Sequence, residues 1–217
     1  MSGLVPRRGG RAALAAAALI VLATPSPAGA DSFTAGGLTF SDELGGFRLL
    51  GVSGTGRLDD PFIVVEEVLE GAAATLVIRG LASGFGNRIG SHHLTGFALT
   101  KVVINRTATA WSRYELELRE VKDFQSPYGD GLSFGQGGQA GRPFIATGFA
   151  GNQEIDEPYD SVIFGGGMIR PGDAATMAVV ITDTTPSSPI YLVQQPMQEV
   201  AGEDASIQLA SAMPWAR

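Results

Sequence analysis

Three glutamates within six residues form the densest group of chemically active side chains in the sequence. Glu115, Glu117 and Glu120 lie in a stretch that alternates apolar and polar residues, which is typical of a β-strand. On a regular strand Glu115 and Glu117 share one face with Cα atoms about 7 Å apart, and a β-bulge would bring Glu120 to the same side. Two carboxyl groups separated by about 5 to 5.5 Å are what enzymes use to cleave glycosidic bonds with retention. The spacing therefore supports a catalytic hypothesis.

The same alternation also fits an ordinary half-buried strand. The apolar members of the stretch would then face the core, and the charged members would face water. The two sets are Tyr114, Leu116 and Leu118, and Glu115, Glu117 and Arg119. We take this structural interpretation as the main expectation, with no catalytic residue, and keep the catalytic one as the alternative.

Residues 115–120 resemble the catalytic ExDxxE strand of laminarinase-type jelly-roll glycosidases. The resemblance implies that Glu115 is the nucleophile and that Glu120 is the acid/base. The middle position is Glu117 where that family has Asp, and residues 111–114 differ from the family's approach to the motif. A carbohydrate-active hydrolase is therefore the alternative function that this segment suggests.

Ser133 lies in a GxSxG pattern at residues 131–135. A nucleophile elbow requires a helix directly after the serine, and residues 136–139, Gln-Gly-Gly-Gln, cannot start a stable one. Residues 135–140 likewise match GxGxxA but lack the βαβ context that a dinucleotide site needs. We expect neither pattern to be functional, and we expect no cofactor.

The candidate metal ligands are few. His92 and His93 are adjacent, so on an extended strand they point to opposite faces and cannot share one metal ion. We expect both to be structural or surface residues. Calcium prefers six to eight oxygens from flexible segments, and two acidic turns offer such ligands. They are Asp59 with Asp60, and Asp156, Glu157 and Asp160. Solvated turn residues are the main expectation, and a calcium-dependent adhesion module is an alternative function.

The N-terminus has the composition of an export signal. Three arginines (Arg7, Arg8 and Arg11) precede an apolar run at residues 12–23, which is shorter than the roughly 20 residues that span a bilayer. Small residues at 28–30 suit a signal peptidase. We expect a signal peptide at 1–30, one domain at 31–196, a loosely ordered tail at 197–217, and a secreted or periplasmic protein.

Charge and composition exclude several classes of function. Of 15 basic and 22 acidic residues, three basic and no acidic ones precede residue 31, which leaves 12 basic against 22 acidic and a net charge of −10. Such a surface repels phosphate backbones and anionic lipids, so we expect no nucleic-acid partner and no membrane docking. No stretch after residue 30 is apolar enough to span a membrane. The chain also contains no Cys, which excludes a disulfide scaffold.

Beyond residue 31 the apolar residues come in short runs separated by Gly, Pro, Asp and Asn, as in all-β proteins. Residues 62–65 form a continuous apolar run that predicts a strand buried on both faces. The glycine-rich stretch 129–151 predicts an extended loop or a pair of short irregular strands. Eight strands are predicted, at 46–52, 62–69, 75–81, 96–105, 110–121, 161–169, 174–183 and 190–194. This number and spacing predict a two-sheet antiparallel β-sandwich or jelly roll.

A second resemblance covers residues 102–118. It is carried by Val102, Val103, Ile104, Asn105, Thr107, Trp111, Tyr114, Glu117 and Leu118. These residues resemble a hairpin found in exported bacterial sandwich proteins of unknown function, including exopolysaccharide-associated proteins that carry a C-terminal sorting signal, which is not found here. The resemblance implies secretion and a sandwich fold. We expect a non-catalytic binding or structural protein of the bacterial envelope or matrix, with a glycan or an envelope protein as partner.

Overall fold

The short apolar stretches form strands, as their period-2 patterns predict. In this computed structural model we describe residues 29–136, 144–156 and 158–198. They contain thirteen β-strands and one 3-10 turn, Tyr128–Asp130. The strands are Ser32–Ala35 (β1), Leu38–Ser41 (β2), Phe47–Ser53 (β3), Phe62–Val68 (β4), Ala74–Arg79 (β5), Thr95–Asn105 (β6), Trp111–Arg119 (β7), Leu132–Phe134 (β8), Ile145–Thr147 (β9), Gly151–Ile155 (β10), Ser161–Ile169 (β11), Ala174–Asp183 (β12) and Ile190–Met197 (β13).

Two sheets pack face to face, which confirms the predicted all-β sandwich. Sheet A has the strand order β1-β2-β5-β13-β7-β11-β10. Sheet B has the order β3-β4-β6-β12-β8, and β9 also pairs with β12. Strands β4 and β6 run parallel, and the other paired strands in both sheets run antiparallel.

All eight predicted strands are present, and β11 and β12 have the predicted bounds. Five further strands, β1, β2, β8, β9 and β10, are only three to five residues long, which is too short for a period-2 pattern to be read from sequence. Strands β8 and β9 lie in the stretch 129–151, for which a pair of short irregular strands was one of the two predicted alternatives. Strand β13 extends to Met197, so the first residue of the predicted tail belongs to sheet A. Residues 199–217 of that tail and 1–28 of the predicted leader lie outside the described residues.

The core lies between the sheets. The alternate residues Ala175, Met177, Val179 and Ile181 of β12 face it and are buried. The prediction that residues 62–65 are buried on both faces is wrong, because Ile63 is 40% exposed. Strand β4 lies between β3 and β6, but the outer face of sheet B at Ile63 is uncovered.

A layer of four polar side chains crosses this core. Glu66 and Lys101 face inward from the neighbouring strands β4 and β6, and Tyr114 and Gln194 face inward from β7 and β13. All four are fully buried. Lys101 Nζ donates to Glu66 Oε2 at 2.9 Å, and the Tyr114 hydroxyl donates to Gln194 Oε1 at 3.1 Å. Each hydrogen bond joins neighbouring strands of one sheet, and the charge of Glu66 in sheet B helps to raise the pKa of Tyr114 in sheet A.

Most of the long connections lie at one end of the sandwich, which we call the loop end. The register places the end of β12 beside the start of β6, and the end of β7 beside the start of β13. The loops at residues 80–94, 120–131 and 184–189 therefore meet there. Loops held by a rigid scaffold are where binding residues concentrate, so the loop end is the natural place to look for a site.

Candidate functional site

A cavity of about 210 Å³ opens at the loop end, and we call it the loop-end pocket. It is small compared with the roughly 300 to 1,000 Å³ of pockets for drug-sized ligands, so it suits a single polar group or one sugar unit. Its lining residues come from the loop before β6, the loop before β8, β8 itself, the segment after β8 and the residue after β12. They are His93, Gly129, Gly131, Ser133, Gln136 and Thr184.

Local backbone geometry shapes the wall of the pocket. Gly131 has a φ of +96°, and a Cβ there would lie 2.0 Å from Thr184 Oγ1. Only glycine therefore allows the 3-10 turn to approach the end of β12. The Thr184 N–H donates to the Gly131 carbonyl at 3.0 Å, and β8 pairs Ser133 with Thr182. These contacts hold the 3-10 turn and β8 against β12.

Three carboxylates lie behind this wall. Asp130 sits between the lining residues Gly129 and Gly131, and Asp183 directly precedes Thr184. Glu120, at the start of the 120–131 loop, is close enough for both aspartates to raise the pKa of its carboxyl group. Asp183 is only 1% exposed. The pocket therefore has a strongly acidic surrounding.

Each carboxylate keeps one buried oxygen without a hydrogen-bond partner among the described residues. Asp183 Oδ1 accepts from the Thr185 N–H at 2.8 Å, and Asp130 Oδ1 accepts from the Leu132 N–H at 3.0 Å. The atoms left over are Asp183 Oδ2, Asp130 Oδ2 and Glu120 Oε1, together with His93 Nδ1 and Ser187 Oγ. Buried polar atoms are usually paired, so these unpaired atoms make the region around the pocket unusual within the described residues.

Burial and neighbouring charges shift the pKa values of three groups near the pocket. Burial raises the pKa of Asp183, and the neighbouring Asp130 raises it further, against hydrogen bonds from the backbone of Thr185 and Ser187 and the nearby His93. Burial also raises the pKa of Glu120, with Asp130 and Asp183 adding to the effect. The pKa of His93 is lowered by burial, which Asp183 partly offsets. Such perturbed carboxyl groups beside a cavity mark candidate functional sites.

Exposed apolar side chains lie close by in sequence. Phe124, on the 120–131 loop, is 70% exposed, and Val121 of the same loop is also exposed. Leu94, next to the lining residue His93, is exposed as well. Phe124 therefore puts an exposed aromatic ring on a loop that also contributes Gly129 and Gly131 to the pocket lining, and such a ring can stack on the apolar face of a pyranose.

The structure does not bring Glu115 and Glu120 together. Strand β7 pairs with β13 without a bulge from Arg113 to Arg119, so the bulge that would have joined the two glutamates is absent from this stretch. Glu120 lies beyond the end of β7, beside Asp130 and Asp183. Glu115 stays on the outer face of sheet A, where burial and then Glu117 raise its pKa while Ser161 lowers it.

The inward face of β7 agrees with the expectation for an ordinary half-buried strand, but its outer face agrees only in part. Tyr114, Leu116 and Leu118 are fully buried in the core, as expected. The expectation that Glu117 faces water is wrong, because it is only 7% exposed. Arg119 Nε and a second guanidinium nitrogen donate to the two Glu117 carboxylate oxygens at 2.7 and 2.9 Å. This bidentate pair allows the carboxylate to be buried.

Ser133 and His93 both line the loop-end pocket, although the sequence predicted a structural or surface role for the histidine and no function for the serine. Ser133 lies within β8, and residues 137–139, where a helix would have to begin, lie outside the described residues, so the prediction about this pattern stays a prediction. The GxGxxA pattern at 135–140 extends into residues outside the described part of the chain.

The acidic turns proposed for calcium are placed as follows. Asp59 and Asp60 lie in the exposed β3–β4 turn, where Asp60 accepts from the Thr55 hydroxyl at 2.8 Å. Asp156 and Asp160 flank the turn from β10 to β11, and Asp160 is fully buried. Glu157 lies outside the described residues. Within the described ranges, no three acidic or histidine side chains form a group that could hold one metal ion. Calcium binding at these turns stays a prediction.

Sequence reasoning missed Asp130 and Asp183 because each lies where a strand or turn would hold an ordinary polar residue. Their proximity arises from the pairing of β8 with β12, and β8 is a three-residue strand that no pattern reveals. No single-sequence signal could have joined residues 120, 130 and 183.

Comparison with family models, curated proteins and solved structures finds nothing that matches this chain. The described residues contain no helix that is long and apolar enough to cross a membrane.

Proposed function

We propose that this chain is an exported, non-catalytic protein of the bacterial envelope or extracellular matrix, and that it binds a glycan in the loop-end pocket. The observation that carries the proposal is the polar lining of that pocket, on His93, Ser133, Gln136 and Thr184. The hydroxyl groups of a sugar can donate to and accept from side chains of this kind.

Export is supported by the sequence. The arginine-flanked apolar run at residues 12–23 and the small residues at 28–30 have the composition of a cleavable leader. The hairpin resemblance over residues 102–118 points to the same class of exported bacterial sandwiches. The net charge of −10 after residue 30 disfavours anionic partners and leaves neutral or cationic ligands.

The size and lining of the pocket support a sugar unit as the bound group. The pocket of about 210 Å³ presents the polar side chains of His93, Ser133, Gln136 and Thr184. Phe124 supplies an exposed ring on the neighbouring loop. Hydroxyls at the edge of a pyranose can pair with the polar lining while its apolar face stacks on an aromatic ring.

A glycan array probed with the purified protein, combined with a reducing-sugar assay on common polysaccharides, tests this function. We expect selective retention of some glycans and no release of reducing ends. Variants S133A and T184A, which alter the lining, should lose the array signal, whereas E115Q on the outer face of sheet A should keep it. An array without any selective signal would contradict the proposal.

Two alternative functions have their own signatures in the same experiments. Release of reducing ends would show that the protein hydrolyses glycans and does not only bind them. Loss of this release in E115Q and E120Q would support the catalytic hypothesis for Glu115 and Glu120. A calcium-dependent adhesion module would instead show a thermal midpoint that falls when a chelator is added.

A further inference from the structure

We infer that cleavage of the Ala30–Asp31 peptide bond during export places the new α-amino group of Asp31 against the buried carboxylate of Asp42. Processing then supplies a cationic partner for this carboxylate and completes the first hairpin of sheet A. The inference rests on the export that we propose for this chain, and it adds a defined processing site with a role in the folded protein. It is carried by the contacts of Asp42.

Asp42 is a buried carboxylate that is held by backbone donors. It directly follows β2 and is almost inaccessible to solvent. Its Oδ2 atom accepts from the Leu49 N–H at 2.8 Å, and its Oδ1 atom accepts from the Asp31 N–H at 2.7 Å. Within the described ranges, no basic side chain forms an ion pair with it. An aspartate is rarely buried to this degree unless its charge is paired, so a cation is the expected partner.

The β1–β2 hairpin fixes Asp31 beside this carboxylate. Strands β1 and β2 pair Ser32 with Ser41, so the next residue outward on each strand lies opposite the other. The Asp42 N–H also donates to the Asp31 carbonyl at 3.2 Å. That carbonyl and the strand that follows lie on the C-terminal side of the Ala30–Asp31 bond. Cleavage of this bond therefore leaves the contacts that position Asp31 intact.

The sequence places a cut at the same bond. Ala28 and Ala30 stand three residues and one residue before it, as in the A-x-A pattern that a signal peptidase reads. Gly29 and Ala30 are exposed and precede the first strand. Exposed segments outside regular structure are the ones that peptidases cut most readily. The cleavage motif and the Asp42 contact therefore point to the same nitrogen atom.

Hydrolysis converts a neutral donor into a charged one. A peptidase uses one water molecule to break the Ala30–Asp31 bond, which leaves a carboxylate on Ala30 and an amine on Asp31 that takes up a proton near neutral pH. The nitrogen that donates to Asp42 at 2.7 Å as a peptide N–H then belongs to an ammonium group. Attraction between the two opposite charges at this distance adds to the hydrogen bond. The processed chain should therefore be more stable than one whose N-terminus lies further upstream.

N-terminal sequencing of the protein exported from the full chain tests the processing site. We expect the exported protein to begin with Asp-Ser-Phe-Thr. An exported protein that begins at another residue would overturn the inference and leave the proposed export in place. A protein that stays in the cytoplasm with its first 30 residues attached would overturn both, and the glycan array decides separately whether the chain binds glycans.

A full-chain variant with Gly-Ser inserted between Ala30 and Asp31 separates the effect of the charge from that of the cut. Its leader and cleavage motif are unchanged, but its product carries the α-amine two residues before Asp31 and presents a peptide N–H to Asp42. We expect the wild-type product to unfold at a thermal midpoint at least about 3 °C above that of the inserted product. Equal midpoints would overturn the inference.

Two substitutions connect this difference to one carboxylate. D42N removes the negative charge with which the amine pairs, so in this background the insertion should change the midpoint little. Asp59 is the matched control, because its side chain is exposed in the β3–β4 turn, and D59N should leave the difference intact. A difference that persists in D42N would assign the effect to another contact and overturn the inference.

The reactivity of the α-amine gives a second measurement that does not depend on the folding of D42N. Acylating reagents attack only the neutral amine, and a neighbouring carboxylate favours the charged form. The α-amine of the wild-type product should therefore react at least about fivefold more slowly than that of the inserted product. Mass spectrometry of the N-terminal peptide measures both rates. Equal rates in the two folded products would show that Asp42 does not hold the amine.

Discussion

At the residue scale, the most demanding feature of the molecule is the polar layer inside its core. Burial lowers the pKa of Lys101, which Glu66 opposes through its charge and its hydrogen bond. Burial, and then the charge of Glu66, raises the pKa of Tyr114 well above its ordinary value. Glu66 Oε1 and Gln194 Nε2 have no partner within the described residues. Removing either Glu66 or Lys101 therefore leaves a buried charge uncompensated.

We expect K101M to lower the free energy of unfolding by about 3 to 5 kcal/mol, because Glu66 would lose its cationic partner in the core. The double variant K101M/E66M should recover a large part of that loss, since it removes both charges together. Urea unfolding of the two variants and the wild type measures the difference. A single variant as stable as the wild type would contradict the buried ion pair.

Removing the charge of Glu120 should raise the free energy of unfolding near neutral pH, whereas K101M lowers it. The folded state raises the pKa of Glu120, so it holds the proton more tightly than the unfolded chain does. Its contribution to stability is therefore present at low pH and is lost as the pH rises through the raised pKa. Glutamine resembles the protonated form. E120Q should match the wild type near pH 3.5 and become the more stable of the two as the pH approaches 7.

Glu43 provides a control with the reverse sign. Its hydrogen bonds to Arg79 lower the pKa of its carboxyl group, so its stabilising effect is present above the unfolded pKa and is lost as the pH falls. E43Q should therefore become less stable than the wild type as the pH rises. Urea unfolding at a series of pH values measures both differences. A difference between E120Q and the wild type that does not change with pH would refute the assignment.

At the scale of elements, the β6–β7 connection is organised by one buried amide. Asn105 Nδ2 donates to the Thr109 and Ile169 carbonyls at 2.8 and 3.0 Å, and Asn105 Oδ1 accepts from the Thr107 N–H at 2.9 Å and from its hydroxyl at 2.7 Å. The Trp111 indole N–H donates to the Thr107 hydroxyl at 3.1 Å. Asn105, Thr107 and Trp111 are among the residues that carry the hairpin resemblance. In this chain these residues therefore build a structural connection between β6 and β7.

We expect N105A to lower the free energy of unfolding by about 2 to 4 kcal/mol, because it leaves several buried backbone and hydroxyl groups unpaired. T34A is a suitable control, since Thr34 makes its hydroxyl contact with Thr39 at an exposed position and should change stability by less than about 0.5 kcal/mol. Thermal and urea unfolding compare the two. Equal effects would show that the Asn105 network contributes little.

The elements also show what a single sequence can and cannot predict. Long strands such as β11 and β12 could be placed because each is nine or ten residues long and rich in apolar residues, and the residues of β12 also alternate. The short strands β8, β9 and β10 could not, since three to five residues do not define a period and their pairing with distant strands determines their structure. The burial of Glu117 was not predicted because it depends on the two hydrogen bonds from the Arg119 guanidinium, which the alternation of residues does not reveal.

At the scale of the whole molecule, the hydrophobic core and the candidate site occupy different parts of the sandwich. The two sheets bury the apolar faces of their strands, and the loop end gathers residues from distant parts of the chain around the pocket. The two-layer fold was predictable because it follows from the composition of the chain and from the period-2 alternation of apolar residues in its short runs. The pocket was not, because it depends on which loops meet at one end of the sandwich.

An NMR titration of the ¹⁵N-labelled protein with the best glycan from the array tests the location of the site most directly. We predict chemical-shift changes that saturate with ligand and concentrate on the amides of Gly129, Gly131 and Thr184. Changes centred on the outer face of sheet A, around Glu115 and Ser161, would contradict the account, as would the absence of any change at the loop end.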